Sequence, residues 1–121
     1  MLVIRKQQMD ALSQVVMDTF EDRMVAHLYD TFPEKCAEMG ESSVREDIQY
    51  GVQRSAQYGI EAERDVCRYI DVMFVLGRDF DNDPSLPKIR AILIDQNIKY
   101  ARTRMDTIFE LIVEDDANES K

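Results

Sequence analysis

Residues 58–77 read YGIEAERDVCRYIDVMFVLG and form the most informative segment of the chain for its fold. A glycine lies near each end, and the apolar residues between them recur at helical spacing until residues 72–76, which are all apolar. A helix that is apolar all round is typical of a buried position. The stretch therefore predicts a central buried helix over residues 61–76, closed by Gly77.

Helical patterns continue on both sides of this helix. The apolar periodicity predicts further helices over residues 6–31, 33–39, 43–58, 87–94 and 97–113. Pro33 suits a first helical turn, and Gly59 suits a position just beyond a C-terminus. Ser43 and Glu46 have the spacing of a capping box, which predicts the start of the third helix at Ser43. Gly51 lies inside that helix, where it weakens helix propensity and indicates close approach of a neighbouring helix.

The sequence thus predicts an all-α fold. We expect a single compact domain of five to six helices over residues 1–113, followed by an acidic, disordered tail over residues 114–121. The content of only 4 Gly and 3 Pro argues against a β-rich fold with many tight turns. No long run alternates with a period of two residues.

The chain is acidic, with a net charge of −9. Such a charge repels nucleic acid and anionic membrane surfaces, so we expect neither as a partner. It would steer a basic protein partner, although a solvated acidic surface with no binding role is an equal alternative. The longest apolar run, residues 72–76, is too short to span a membrane, and no apolar signal segment follows Met1. A cytoplasmic location is expected.

Three side chains could in principle hold a soft metal or form a nucleophilic pair, namely His27, Cys36 and Cys67. Their spacing supports neither role, because the chain has no C-x-x-C and no His pair. A structural zinc site usually has four ligands, and this set offers three. No P-loop, dinucleotide fingerprint or nucleophile elbow is present. We therefore expect no enzyme activity, no catalytic residue, no metal and no cofactor.

An aspartate loop, defined here as residues 78–85, follows the central helix. Asp79, Asp81 and Asp83 alternate as at the start of a calcium loop, but Pro84 stands where that loop needs glycine and Arg90 where it needs glutamate. A turn between helices is the better interpretation, with Asp83 or the nearby serine capping the next helix.

Aromatic residues suggest where a protein partner could bind. Tyr50, Tyr58, Phe80 and Tyr100 are candidates, and Tyr58 also suits the core. Phe80 stands in the acidic loop, where it either meets a partner or folds back over the end of the central helix.

Five segments together resemble a known protein family. They are residues 23–28 (RMVAHL), 32–36 (FPEKC), 58–60 (YGI), 63–66 (ERDV) and 73–81 (MFVLGRDFD). The family consists of small uncharacterised helical accessory proteins that are encoded in bacterial type VI secretion gene clusters, beside spike proteins, PAAR-repeat tip proteins and effector-loading adaptors. The resemblance covers residues 4–105, and its motifs are structural rather than catalytic.

The resemblance implies a non-catalytic protein-binding accessory of a type VI effector module. It would act as an adaptor or co-chaperone that binds an effector, a PAAR-type tip or a loading adaptor. The alternative is an immunity protein that neutralises a cognate toxin by direct binding. We expect the partner to contact the aspartate loop and the polar faces of the first and third helices. The expected partner-binding residues of the loop are Arg78, Asp79, Phe80, Asp81 and Asp83. Replacing Asp79, Phe80 and Asp81 together is expected to weaken binding with little effect on stability. The sequence determines no oligomeric state.

Overall fold

The computed structural model describes the backbone of residues 6–119 and the side chains of residues 19–114. This part of the chain is all-α, as predicted, and contains no strand. Its six α-helices are α1 (Lys6–Thr31), α2 (Pro33–Met39), α3 (Glu41–Gln57), α4 (Glu63–Leu76), α5 (Pro87–Leu93) and α6 (Ala101–Glu119). A short 3-10 helix, Phe80–Asn82, lies between α4 and α5. Among residues 6–119, no helix combines the length and the apolar composition that a membrane span requires.

Contacts within the chain group it into two compact units. The first ends at Gln49 and the second begins at Tyr50, so the boundary falls inside α3. The predicted single domain over residues 1–113 stays a prediction.

In the first unit, α1 packs against α2. The two helices are joined tightly because the amide of Phe32 still donates to the carbonyl of Leu28 at 2.7 Å, and Pro33 then opens α2. Leu28 and Cys36 are fully buried. The predicted bounds of both helices are confirmed.

The start of α3 differs from the prediction. The helix begins at Glu41, and the amide of Val44 donates to the carbonyl of Gly40 at 3.0 Å. Ser43 therefore lies inside the first turn, and its prediction as the N-cap is wrong. Gly40, at a φ of 83°, already turns the chain between α2 and α3.

The end of α3 has the hydrogen bonds of a Schellman motif. The amide of Gly59 donates to the carbonyl of Ala56 at 3.0 Å, and that of Ile60 donates to Ser55 at 2.9 Å. Gly59 has a φ of 74°, which favours glycine, so its predicted role is confirmed. Ile60 is fully buried and anchors the turn.

The second unit is built on α4. A side chain at Gly51 of α3 would place its Cβ 2.6 Å from Cγ1 of Ile70 and 2.8 Å from Sδ of Met73, which confirms the predicted close approach of a neighbouring helix. The burial of α4 is less complete than its sequence suggests, because Val75 is 54% exposed. The helix buries one broad face instead of its whole circumference.

Helix α6 packs against α4 and α5. It begins at Ala101 instead of residue 97, because the side chain of Asp95 accepts from the amide of Asn97 at 2.9 Å and holds a turn there. Arg104 donates to the carbonyls of Tyr58 at 2.7 Å and Leu93 at 2.8 Å, so it satisfies the ends of α3 and α5. The helix continues to Glu119, beyond the predicted domain end at residue 113, and residues 120–121 lie outside the described residues.

Candidate protein-binding loop

The aspartate loop is a structured turn. Gly77 ends α4 at a φ of 114°, and its carbonyl accepts from the amide of Phe80 at 3.2 Å. The amide of Asn82 then donates to the carbonyl of Asp79 at 3.0 Å, which forms the 3-10 helix. This short helix contacts both α4 and α5, so the loop packs against the helix before it and the helix after it.

Phe80 points into the core. It is fully buried, and its ring centroid lies 4.9 Å from that of Tyr69 on α4. The ring therefore folds back over the central helix, which was one of the two alternatives for it. Its side chain is closed to a partner in this structure, which corrects its assignment as a partner contact.

Asp81 also points inward. Its carboxylate is fully buried and accepts from Arg54 and, at 2.7 Å, from the hydroxyl of Tyr58. The hydrogen bond to Asp81 raises the pKa of the Arg54 guanidinium, because it stabilises the charged form. Burial, and then the bond to Asp81, raise the pKa of Tyr58. The carboxylate thus holds α3 and the loop together and does not face a partner, which corrects the second of the predicted contacts.

The expected effect of replacing Asp79, Phe80 and Asp81 together is corrected as well. Two of these three side chains lie in the core, so the triple variant would lose stability together with any binding.

The outer face of the loop carries Arg78 and Asp79. The guanidinium of Arg78 lies 4.0 Å from the ring centroid of Tyr50, close enough for a cation–π contact. Asp79 is exposed and accepts from the hydroxyl of Tyr50. That hydrogen bond is the main cause of the raised pKa of Tyr50. Tyr50 therefore positions both a cation and an anion at the surface.

Asp83 and Asn82 complete the loop. Asp83 accepts from the amide of Ser85 at 2.9 Å and from its hydroxyl at 2.7 Å, and these bonds lower the pKa of Asp83. Arg90 of α5 donates to the side chain of Asn82 at 2.6 Å and to the carbonyl of Asp81 at 3.2 Å. The three alternate aspartates thus accept hydrogen bonds from different partners within the turn, and we propose no calcium site for them.

The residues that support the loop come mainly from one face of α3 and from the turn that follows it. Tyr50, Arg54 and Tyr58 follow one another at steps of four residues, the spacing that places side chains on the same side of a helix. Sequence reasoning missed Arg54 and did not join it to the two tyrosines. The four-residue spacing could have indicated that the three side chains share one face of the helix. It does not indicate which loop they contact.

The histidine and the cysteines are not part of this loop. His27 is half-buried on α1, and Cys36 is fully buried on α2. Cys67 is half-buried on α4, and burial, followed by the charge of Asp71, raises its pKa to about 11. A thiol with such a pKa is protonated at neutral pH and is a weak nucleophile.

We expect Cys67 to alkylate slowly. With a pKa of about 11, it is thiolate in about one molecule in a thousand near pH 8. Iodoacetamide should therefore modify it about 100-fold more slowly than in the urea-unfolded chain, and the rate should still be rising at about pH 10. Peptide mass spectrometry separates Cys67 from Cys36. A rate that levels off near neutral pH would instead indicate an activated thiol.

No protein-family model, curated protein or solved structure matches this chain.

Proposed function

We propose that this chain is a non-catalytic protein-binding accessory that uses the outer face of the aspartate loop as a contact surface. The observation that carries the proposal is the division of the loop into two faces. Phe80 and Asp81 are fully buried, while Arg78 and Asp79 are exposed and positioned by Tyr50.

Such a division favours recognition. A loop that is already ordered loses less conformational entropy when it binds than a flexible loop would. Arg78 and Tyr50 are also of the residue types that most often dominate protein interfaces. The face offers a cation and an anion side by side, so it suits a partner surface with the opposite pair of charges.

The resemblance to type VI accessory proteins supports a more specific proposal. In it the chain is an adaptor or co-chaperone for an effector, a PAAR-type tip or a loading adaptor. The second candidate is an immunity protein, which the net charge of −9 favours if the cognate toxin is basic. Under both proposals the partner is a protein, with neither a nucleic acid nor a membrane as the ligand.

Two cellular outcomes distinguish the candidates. Deletion of the gene should abolish secretion of the neighbouring toxin if the chain is an adaptor. Co-expression should rescue cells that produce the toxin if the chain is an immunity protein. If neither outcome occurs and no neighbouring product binds, the type VI assignment is wrong.

A charge reversal tests the loop itself. We expect Arg78→Glu to weaken binding of the partner about tenfold or more, because it removes an interface arginine and its contact with Tyr50. Arg64→Glu is the matched control, since Arg64 is exposed at the start of α4 and the change in net charge is the same.

Titration calorimetry should show the loss for Arg78→Glu only, with both melting temperatures near that of the parent. Equal affinities for the two variants would exclude the loop as the contact surface.

A further inference from the structure

Helix α6 carries a second candidate binding surface. It belongs to the same unit as the aspartate loop but shares no residue with it. A shallow groove of about 360 Å³ is lined by Phe109, Glu110, Val113 and Glu114. Val113 is 64% exposed, among the most exposed of the large apolar side chains in the described part of the chain. Phe109 is half-buried, and the guanidinium of Arg68 lies 4.9 Å from its ring centroid. The floor of the groove is therefore apolar, and the Phe109 ring is supported by a cation–π contact with a residue of α4.

The rim of this groove is acidic. Asp106, Glu110 and Glu114 follow at steps of four residues and so form one row along the helix. Asp106 pairs with Arg68 at 2.6 Å, whereas Glu110 and Glu114 are exposed and make no ion pair with any residue in 19–114. No lysine or arginine occurs between residues 105 and 120.

This arrangement is unfavourable for an isolated helix. Like charges four residues apart on a helix repel each other. The valine beside them is 64% exposed, so it buries little apolar area in the fold. Local choices that disagree with local stability occur mainly at functional sites. A cationic ligand with an apolar face would relieve the repulsion and cover the valine.

We propose that this groove binds a basic amphipathic helix of a partner protein. An apolar side chain of that helix fills the space between Phe109 and Val113, and flanking lysines or arginines pair with Glu110 and Glu114. A second copy of this chain is a poor occupant, because it would bring one acidic row against another. The site is separate from the aspartate loop, so it stands whether or not the loop binds a partner.

The probe is a fluorescent peptide of about 18 residues with leucines on one helical face and lysines on the other. Fluorescence anisotropy should detect binding that weakens as salt is added. A peptide with the same leucine pattern and glutamate in place of lysine should not bind. The decisive variant is Val113→Asp, for which we expect a loss of about tenfold or more in affinity.

The charge that Val113→Asp introduces separates the apolar contact from electrostatic attraction. Val113→Asp adds a negative charge, which by itself would strengthen attraction of the cationic peptide. A loss of binding therefore reports the apolar contact. Val75→Asp is the matched control, since Val75 is an exposed valine on α4 and gains the same charge. The control should bind the peptide as well as the parent or slightly better.

Two further outcomes would overturn the proposal. If Val113→Asp and Val75→Asp bind the peptide equally well, the peptide follows the net charge and not the groove. If light scattering shows that the free chain is a dimer and that Val113→Asp dissociates it, the occupant is a second copy. A thermal melt of each variant verifies that the fold is intact. The double variant Glu110→Gln, Glu114→Gln should reduce the salt dependence of peptide binding.

Discussion

Replacing Asp81 with alanine is expected to lower the free energy of unfolding by about 3 kcal/mol. The carboxylate is fully buried, and its loss leaves the Arg54 guanidinium without its partner and the Tyr58 hydroxyl without its acceptor. Breaking a buried pair by removing one member costs about 3–5 kcal/mol, and the low end applies because the Arg54 side chain is still 21% exposed to water. Urea unfolding followed by circular dichroism measures the loss.

Two controls show whether the charge pair is responsible. Asp79→Asn changes an exposed carboxylate of the same loop and should have little effect on unfolding. Asp81→Leu combined with Arg54→Leu removes both charges, so it should recover part of the stability lost in Asp81→Ala. An Asp81→Ala variant within about 1 kcal/mol of the parent would mean that the pair contributes little to the fold.

Phe80→Ala is expected to cost about 3–5 kcal/mol, by the same measurement. The ring is fully buried against Tyr69, so its removal loses apolar burial and leaves a cavity beside the Tyr69 ring. Phe80→Leu keeps most of the volume and should cost less than about 1.5 kcal/mol. Pro84→Ala, at an exposed position of the same loop, should change little. A small effect of Phe80→Ala would show that the loop is not fastened to the core.

These two expectations also decide how binding should be tested. A variant that loses Phe80 or Asp81 can lose a partner simply because the loop is no longer held in place. Arg78 is exposed, and its contact with Tyr50 lies at the surface. Its reversal changes the contact surface and leaves the buried support intact.

The helices could largely be predicted from the sequence, because the signals that form them are local. Apolar spacing, a proline in a first turn and a glycine beyond a C-terminus act within a few residues of one another. Helices α1, α2 and α4 and the turn at Gly59 follow those signals. The starts of α3 and α6 did not, because the turn at Gly40 precedes Ser43 and the Asp95 side chain holds a turn before Ala101. Helix α6 also extends to Glu119, beyond the end of its apolar pattern.

An acidic, all-helical chain, with a glycine inside α3 where another helix comes close, was thus predictable from local signals. The inward orientation of two loop side chains was not, because it results from contacts between elements that are distant in the sequence. Nothing local distinguishes Asp81 from Asp79 or Asp83, and the sequence left both a buried and a partner-facing position open for Phe80. Their burial depends on Tyr69 of α4, Arg54 of α3 and Tyr58 just beyond α3, which meet the loop only after the helices have packed.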